Sequence, residues 1–281
     1  MMILIFGVGG MAGHVLYRYF SSFSQFEVWG TVHSPLEKFK QVHNLDVRNR
    51  HRVLTMIRHL QPDVVVNAIG LLNLSAQQNI SDAIYVNALF PRLLAHYAKT
   101  HGFKLVHIST DCVFSGQRGN YMEQDIADGT SVYAKSKSLG EVVDDGNLTI
   151  RTSIIGPELK PDGIGLLGWF LQQKGPIYGY RQVLWNGVTT MQLARAIHWS
   201  LSRNITGLAH LGAPNKISKY ELLNMCNATF HKSIPIIPSD EPQSDKSLLN
   251  TRTDFCVPLP PYEIMLEEMK QWMEINKSLY V

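Results

Sequence analysis

The chain opens with an apolar run, Met2–Phe6, that passes directly into Gly7-Val8-Gly9-Gly10-Met11-Ala12-Gly13. Two spacings overlap in this stretch. Gly7, Gly10 and Gly13 form GxxGxxG, and Gly7, Gly9 and Ala12 form GxGxxA. A tight glycine turn between a buried strand and a helix lets the backbone approach a pyrophosphate. The helix then directs its free N–H groups and positive dipole end at that group. The competing explanation is close helix–strand packing with no ligand. The strand–turn–helix context is the one that dinucleotide binding requires. It makes Gly7, Gly9, Gly10, Met11 and Gly13 candidate cofactor-binding residues.

The first half of the chain repeats this alternation. Short apolar runs at 26–32, 63–68, 103–109 and 148–153 are separated by amphipathic helical patterns near 11–21, 49–60, 81–101 and 131–145. Runs such as Val64-Val65-Val66 suit strands buried on both faces, hence a parallel sheet covered by helices. The fold class predicted is α/β, with a doubly wound parallel sheet. After about residue 154 Gly and Pro cluster and the rhythm becomes irregular. Helices are expected at about 189–203, 218–230 and 262–276, with a strand at 207–211. The division expected is a nucleotide-binding domain over 1–154 and a second region over 155–281. A segment at about 182–211 is expected to return to the sheet.

Composition removes several classes. Of 281 residues, 45% are hydrophobic and 17% charged, which supplies a core and excludes a disordered chain. The net charge of +3 comes without a basic stripe, so a nucleic-acid partner is not expected. The densest basic cluster, Arg48, Arg50 and Arg52, reads as the solvated face of a helix start. Cys112, Cys226 and Cys256 are widely spaced and form no CxxC pair, and there is no HExxH spacing. A disulfide framework or metal site is therefore not expected. The opening apolar run is shorter than the roughly 7–15 residues of a signal-peptide core. No apolar stretch is long enough for a membrane span. The reading is a cytoplasmic protein with no membrane partner.

An acidic residue at the end of the second strand would select NADH by bonding the ribose 2′-hydroxyl. Glu27 stands at that strand's start instead. The end reads Thr31-Val32-His33-Ser34, with Lys38 beyond. NADPH is therefore favoured over NADH, with His33 and Ser34 near the 2′-phosphate and Asp46 and Val47 near the adenine.

Tyr133-Ala134-Lys135-Ser136-Lys137 contains Tyr-x-x-x-Lys, which places both side chains on one helical face. Reducing a ketone requires a hydride and a proton for the forming alkoxide. Tyr can deliver that proton, but its free pKa is about 10. A Lys cation about 4 Å away, at an effective dielectric of about 20, supplies roughly the 4 kcal/mol that would bring the phenol toward neutrality. Thr110, at the end of the fifth predicted strand, can hydrogen-bond the substrate oxygen. His107, on the same strand, reads as a satisfied core residue.

Together these residues resemble the extended short-chain dehydrogenase/reductases, and within them the dTDP-4-dehydrorhamnose reductase-like group. The matching segments are residues 7–13, Asn67-Ala68-Ile69-Gly70, Tyr85-Val86-Asn87-Ala88, Ser109-Thr110-Asp111-Cys112-Val113-Phe114-Ser115-Gly116, Tyr121-x-Glu123-x-Asp125, Tyr133 to Lys137 with Gly140-Glu141, and Arg151-Thr152-Ser153. Weaker likeness continues through Asn186-Gly187-Val188-Thr189-Thr190. The resemblance implies a Rossmann-like domain with a small C-terminal α/β substrate domain. It also implies NAD(P)H-dependent reduction of the C4 ketone of a nucleotide-linked 4-keto-6-deoxy sugar, in surface polysaccharide precursor synthesis. It makes Thr110, Tyr133 and Lys137 the catalytic triad, with Tyr133 and Lys137 also binding the cofactor and Lys137 holding its nicotinamide ribose. It lines the cofactor with Asn67, Ala68, Ile69 and Gly70, and gives Asn87 a supporting role at the cofactor. Arg151, Arg181 and Trp185 lie where the substrate pocket would form. Homodimers are common in that superfamily, and the sequence itself shows none.

Cys112 departs from the group, which usually carries Tyr after Ser-Thr-Asp. GDP-fucose synthases have a catalytic Cys at the matching place, so an epimerase/reductase using Cys112 is one alternative. A thiol that packs or lines the pocket passively is the other reading of that residue. The rival from another class is a non-catalytic nucleotide-binding regulator. The β subunit of methionine adenosyltransferase resembles this same group.

Overall fold

In β1 (Met2–Phe6) successive side chains point to opposite faces of the sheet. Ile3 and Ile5 join a core with Leu16, Phe20 and Ile197, while Leu4 and Phe6 join another with Ile57, Phe90 and Leu94. Each large aliphatic buried this way contributes about 1.5–3 kcal/mol. A strand apolar on both faces requires a helical layer on each, which is why the chain winds in both directions. The computed structural model describes residues 1–280 apart from 37, 161 and 162.

After β1 come α1 (Met11–Ser21), β2 (Glu27–Val32), β3 (Val42–Asn44), α2 (Arg50–Leu60) and β4 (Val64–Asn67). Short helices α3 (Asn73–Gln78) and α4 (Ile80–Ala83) lead to α5 (Phe90–His101), β5 (Lys104–Ile108), α6 (Val132–Gly140) and β6 (Leu148–Thr152). The remainder holds β7 (Ile154–Ile155), α7 (Leu166–Gln172), β8 (Ile177–Tyr180), β9 (Val183–Trp185), β10 (Val188–Thr189) and α8 (Thr190–Ser202). It continues with β11 (Gly207–Leu211), β12 (Ile217–Ser218), α9 (Lys219–Thr229), β13 (Ile236–Ser239), β14 (Ser244–Asp245) and α10 (Tyr262–Ile275).

Seven strands form one parallel sheet in the order β11-β6-β5-β4-β1-β2-β3. The strand order reverses between β1 and β4, and in such sheets the crevice outside the strand ends at that point receives ligands. The later strands make small pairings: β9 lies between β12 and β14, β8 beside β13, and β7 beside β10. Among the described residues, no helix is long and apolar enough to cross a membrane.

The expected helix over 81–101 is present but not uniform. Residues Ile84–Leu89 form a π-helical turn between α4 and α5, with the Phe90 N–H reaching back to the Tyr85 carbonyl. Pro91 explains it: proline has no N–H to give the Asn87 carbonyl four residues earlier. The freed Asn87 carbonyl lies against α6, where a Cβ added to Gly140 would stand 1.9 Å from it. The helix expected over 131–145 stops at Gly140, and Glu141 turns inward to pair with Arg151.

Candidate active site

The ends of four strands surround a cavity of about 450 Å³. Gly7, Gly9 and Gly10 follow β1, Thr31 to Ser34 end β2, Leu45 to Arg48 follow β3, and Ala68 to Leu71 follow β4. Of the expected cofactor residues, Gly7, Gly9, Gly10, His33, Ser34, Asp46, Val47, Ala68, Ile69 and Gly70 line it.

The glycines divide between packing and lining. Gly7 has φ +94°, and the N–H groups of Gly7 and Val8 donate to the Thr31 carbonyl at 3.1 and 2.9 Å. A Cβ on Gly13 would lie 2.0 Å from the Gly7 carbonyl oxygen, so α1 can approach the turn only with glycine there. Gly13 therefore serves close packing and does not line the cavity. Gly9 and Gly10 line the cavity and have room for a methyl: an added Cβ meets nothing closer than 3.4 Å at either. Gly10 caps α1 without a side-chain hydrogen bond, which leaves first-turn N–H groups as donors. That uncapped, eleven-residue helix start over a glycine-floored cavity fits a dinucleotide pyrophosphate.

His14 holds the turn from behind. Its Nδ1 donates to the Gly10 carbonyl at 2.8 Å, and its Nε2 accepts from the Tyr280 hydroxyl at 2.9 Å. Burial lowers its pKa to about 4, so the ring is neutral and can play both parts.

Thr110, Tyr133 and Lys137 meet where β5 ends against α6. The Ser131 hydroxyl caps that helix by accepting from the Ala134 N–H at 3.0 Å, and Tyr133 and Lys137 both face inward. The Thr110 hydroxyl donates to Asp111 Oδ1 at 3.1 Å and accepts from the Cys112 N–H at 3.1 Å. Burial pushes the Tyr133 phenol well above its ordinary value, and the Thr110 hydroxyl acts against that shift. The Lys137 ammonium donates to the Ile108 carbonyl at 2.7 Å, and burial lowers its pKa to about 8. Burial is the largest influence on Tyr133, and the neighbouring Cys112 and Asp111 act in the same direction.

Several expected contacts lie elsewhere. Asn67 is fully buried: its amide nitrogen meets His107 Nδ1 at 3.1 Å and its carbonyl oxygen accepts from the Ile69 N–H at 3.2 Å. It shapes the loop that lines the cavity and does not line it. His107 is only half satisfied, because its Nε2 has no partner among the described residues. Asn87 accepts from the Leu71 N–H at 2.8 Å and donates to the Leu71 carbonyl at 2.9 Å. Met11 sits at the start of α1 without lining the cavity.

Arg151 is an interior residue, not an open substrate contact. It forms a two-pronged pair with Glu141 at 2.7 Å on both prongs, stands over the Phe114 ring, and meets His210 Nε2 at 3.3 Å. Arg181 makes an exposed pair with Asp240. Trp185 is buried and donates its indole N–H to Ser153 Oγ at 2.9 Å. Burial, followed by the Asp111 charge, raises the Cys112 thiol to about 11.

The RmlD substrate binding domain family model matches residues 1–269. The chain belongs to this family. A dTDP-4-dehydrorhamnose reductase of Aggregatibacter actinomycetemcomitans is 33% identical over 141 residues, 50% of this chain and 45% of the relative. The methionine adenosyltransferase 2 subunit beta of Bos taurus is 31% identical over 140 residues, 50% of this chain and 41% of the relative. The chain thus matches less than half the length of each of these curated relatives. The crystal structure of dTDP-4-dehydrorhamnose reductase from Bacillus anthracis, in complex with NADP, superposes with a TM-score of 0.83. It is 19% identical, and the match covers 96% of this chain and 99% of that one. The fold is that of the Rossmann-like reductases.

The cavity also has walls that sequence reasoning did not find. Arg48 lines it and pairs with both Asp46 and Asp82 at 2.7 and 2.9 Å, so it is not the free solvated cation of a helix face. Leu159 and Lys160 close the cavity from the second half of the chain. Asp46 shows no motif, but its position after β3 could have pointed to Arg48, two residues on.

Proposed function

We propose that the protein is an NADPH-dependent reductase of the C4 ketone of a nucleotide-linked 4-keto-6-deoxy sugar, acting in the synthesis of surface polysaccharide precursors. The observation that carries this reading is the meeting of Thr110, Tyr133 and Lys137 at the end of β5, beside a cavity floored by Gly9 and Gly10. The dTDP-4-dehydrorhamnose reductase relative supports the substrate class.

Bound nicotinamide supplies the hydride. The chain's residues do the rest. Gly9, Gly10 and the first turn of α1 would hold the pyrophosphate, and Lys137 the nicotinamide ribose. Tyr133 would give its proton to the forming alkoxide. A phenol raised by burial is fully protonated at neutral pH, so that proton is present. The Thr110 hydroxyl would orient the ketone oxygen. Both lining carboxylates among the described residues, Asp46 and Asp82, are paired with Arg48, and Lys160 also lines the cavity. That balance suits the extra charge of the 2′-phosphate and favours NADPH over NADH.

The Cys112 thiol is raised, the reverse of the activated thiolate that proton abstraction at a sugar carbon requires. Reduction without epimerisation is therefore the preferred reading. The similarity to a methionine adenosyltransferase β subunit supports a second one, a nucleotide-binding regulator. Loss of NADPH absorbance with a panel of 4-keto-6-deoxy sugar nucleotides decides between them. Turnover with one member is expected, and Tyr133→Phe should lower it by at least about 10²-fold while leaving NADPH affinity within a few-fold. Cofactor binding with no turnover on any member would favour the regulator.

A further inference from the structure

Two lysines outside the expected site converge on residues 110–112 from separate elements. Lys219 is the first residue of α9. The pairing of Ile217 with Trp185, and the capping box between Ser218 and Glu221, fix its position. Its ammonium stands 4.8 Å over the Trp185 ring and lies within electrostatic reach of Asp111 and Cys112. Lys246 follows β14. Its stem passes Gly116, where an added Cβ would stand 3.0 Å from Lys246 Cγ, and its charge also reaches Cys112. Among the described residues, neither ammonium has a hydrogen bond or an ion pair.

Lys216, three residues before Lys219, is paired at 2.6 Å with Asp245, the residue before Lys246, and Arg181 is paired with Asp240. Burial lowers Lys219 to about 8, with Asp111 acting against that shift. Both lysines are half-buried, so each ammonium has few protein neighbours to accept from it and stays open to an anionic ligand. Asp111 offsets part of the charge, but its carboxylate already accepts from the Thr110 hydroxyl. The cavity lined by the glycine turn includes neither lysine, so the cofactor's phosphates are not what they face.

We infer that Lys219 and Lys246 form an anion subsite beside Cys112 that takes the diphosphate of the sugar-nucleotide substrate. The inference rests on the sugar-nucleotide reading above. It adds the residues that would hold the substrate's charged end while Thr110 and Tyr133 face its ketone. Lysine suits this task as a mobile point charge.

Calorimetric titration of the full chain, saturated with NADP⁺, tests it with dTDP, UDP, GDP and CDP as probes. One nucleoside diphosphate should bind. Lys219→Met and Lys246→Met should each weaken it by about ten-fold, and Lys219→Arg and Lys246→Arg should restore most of the affinity. NADP⁺ affinity should stay within two-fold throughout. No binding by any probe, unchanged affinity in the Met variants, an equal loss in the Arg variants, or a parallel loss of NADP⁺ binding would each overturn the subsite. Failure of the reductase reading shows separately, as absent NADPH oxidation with intact, lysine-dependent binding of the diphosphate.

Discussion

The Asn87 side-chain amide donates to the Ser136 hydroxyl at 3.0 Å, and this one bond joins the cavity-lining loop to the helix that carries Tyr133 and Lys137. Asn87 already holds both backbone groups of Leu71. One residue therefore couples the candidate cofactor wall to the candidate catalytic face. Asn87→Ala leaves these partners unsatisfied and should cost about 1–3 kcal/mol in urea unfolding. NADPH affinity and turnover should fall together. A variant as stable and active as the parent would remove Asn87 from this role.

Glycine substitutions should separate packing from binding. Gly13→Ala forces a methyl into the Gly7 carbonyl and should destabilise the fold, read as a lowered Tm. Gly10→Ala meets nothing closer than 3.4 Å and should fold normally while weakening NADPH binding by ten-fold or more. Equal effects on Tm from both changes would contradict that division.

The Glu141–Arg151 pair is buried, each side chain being 6% exposed, and Ser109 Oγ also donates to Glu141 at 2.7 Å. Arg151→Met leaves the carboxylate without its counter-ion and should cost about 3–5 kcal/mol of stability. Chemical denaturation measures this directly, and a loss under about 1 kcal/mol would show that the interior adjusts to the unpaired charge.

Lys137 predicts opposite pH trends for activity and stability. Its ammonium is lost above about pH 8 in the folded chain, so the rate of ketone reduction should fall on that alkaline side. Between about 8 and the ordinary 10.5, the unfolded chain binds the extra proton, so this group makes stability rise with pH. Lys219, lowered for the same reason, adds to the stability trend. Lys137→Met should reduce the stability slope in that window, measured by urea unfolding at several pH values. An unchanged slope would show that Lys137 titrates at its ordinary value.

The parts legible in the sequence are those governed by local pattern. The apolar runs at β1, β4, β5 and β6 and the helices at α1, α2, α8, α9 and α10 follow periodicity, and Tyr133 and Lys137 share a face because of helical spacing. The parts that were not legible depend on distant partners. Arg151 looks like a free cation on a strand until Glu141, after the end of α6, turns inward to meet it. Asn67 reads as a cavity residue, but His107 on the neighbouring strand claims its amide. The phenol's environment is set by burial that no sequence spacing records. Lys219 and Lys246 come from elements more than a hundred residues beyond Cys112, and only the tertiary fold brings their charges to it.

The π-turn at Ile84–Leu89 sets the rotational phase of everything carboxyl-terminal to it. An α-helix turns about 100° per residue, so deleting one residue from this turn would swing either α5 off the core or Asn87 away from Leu71 and Ser136. The chain cannot keep both in register with a regular helix. The one surplus residue, made stable by Pro91, allows a helix that buries Phe90 and Leu94 to present an amide to both Leu71 and Ser136.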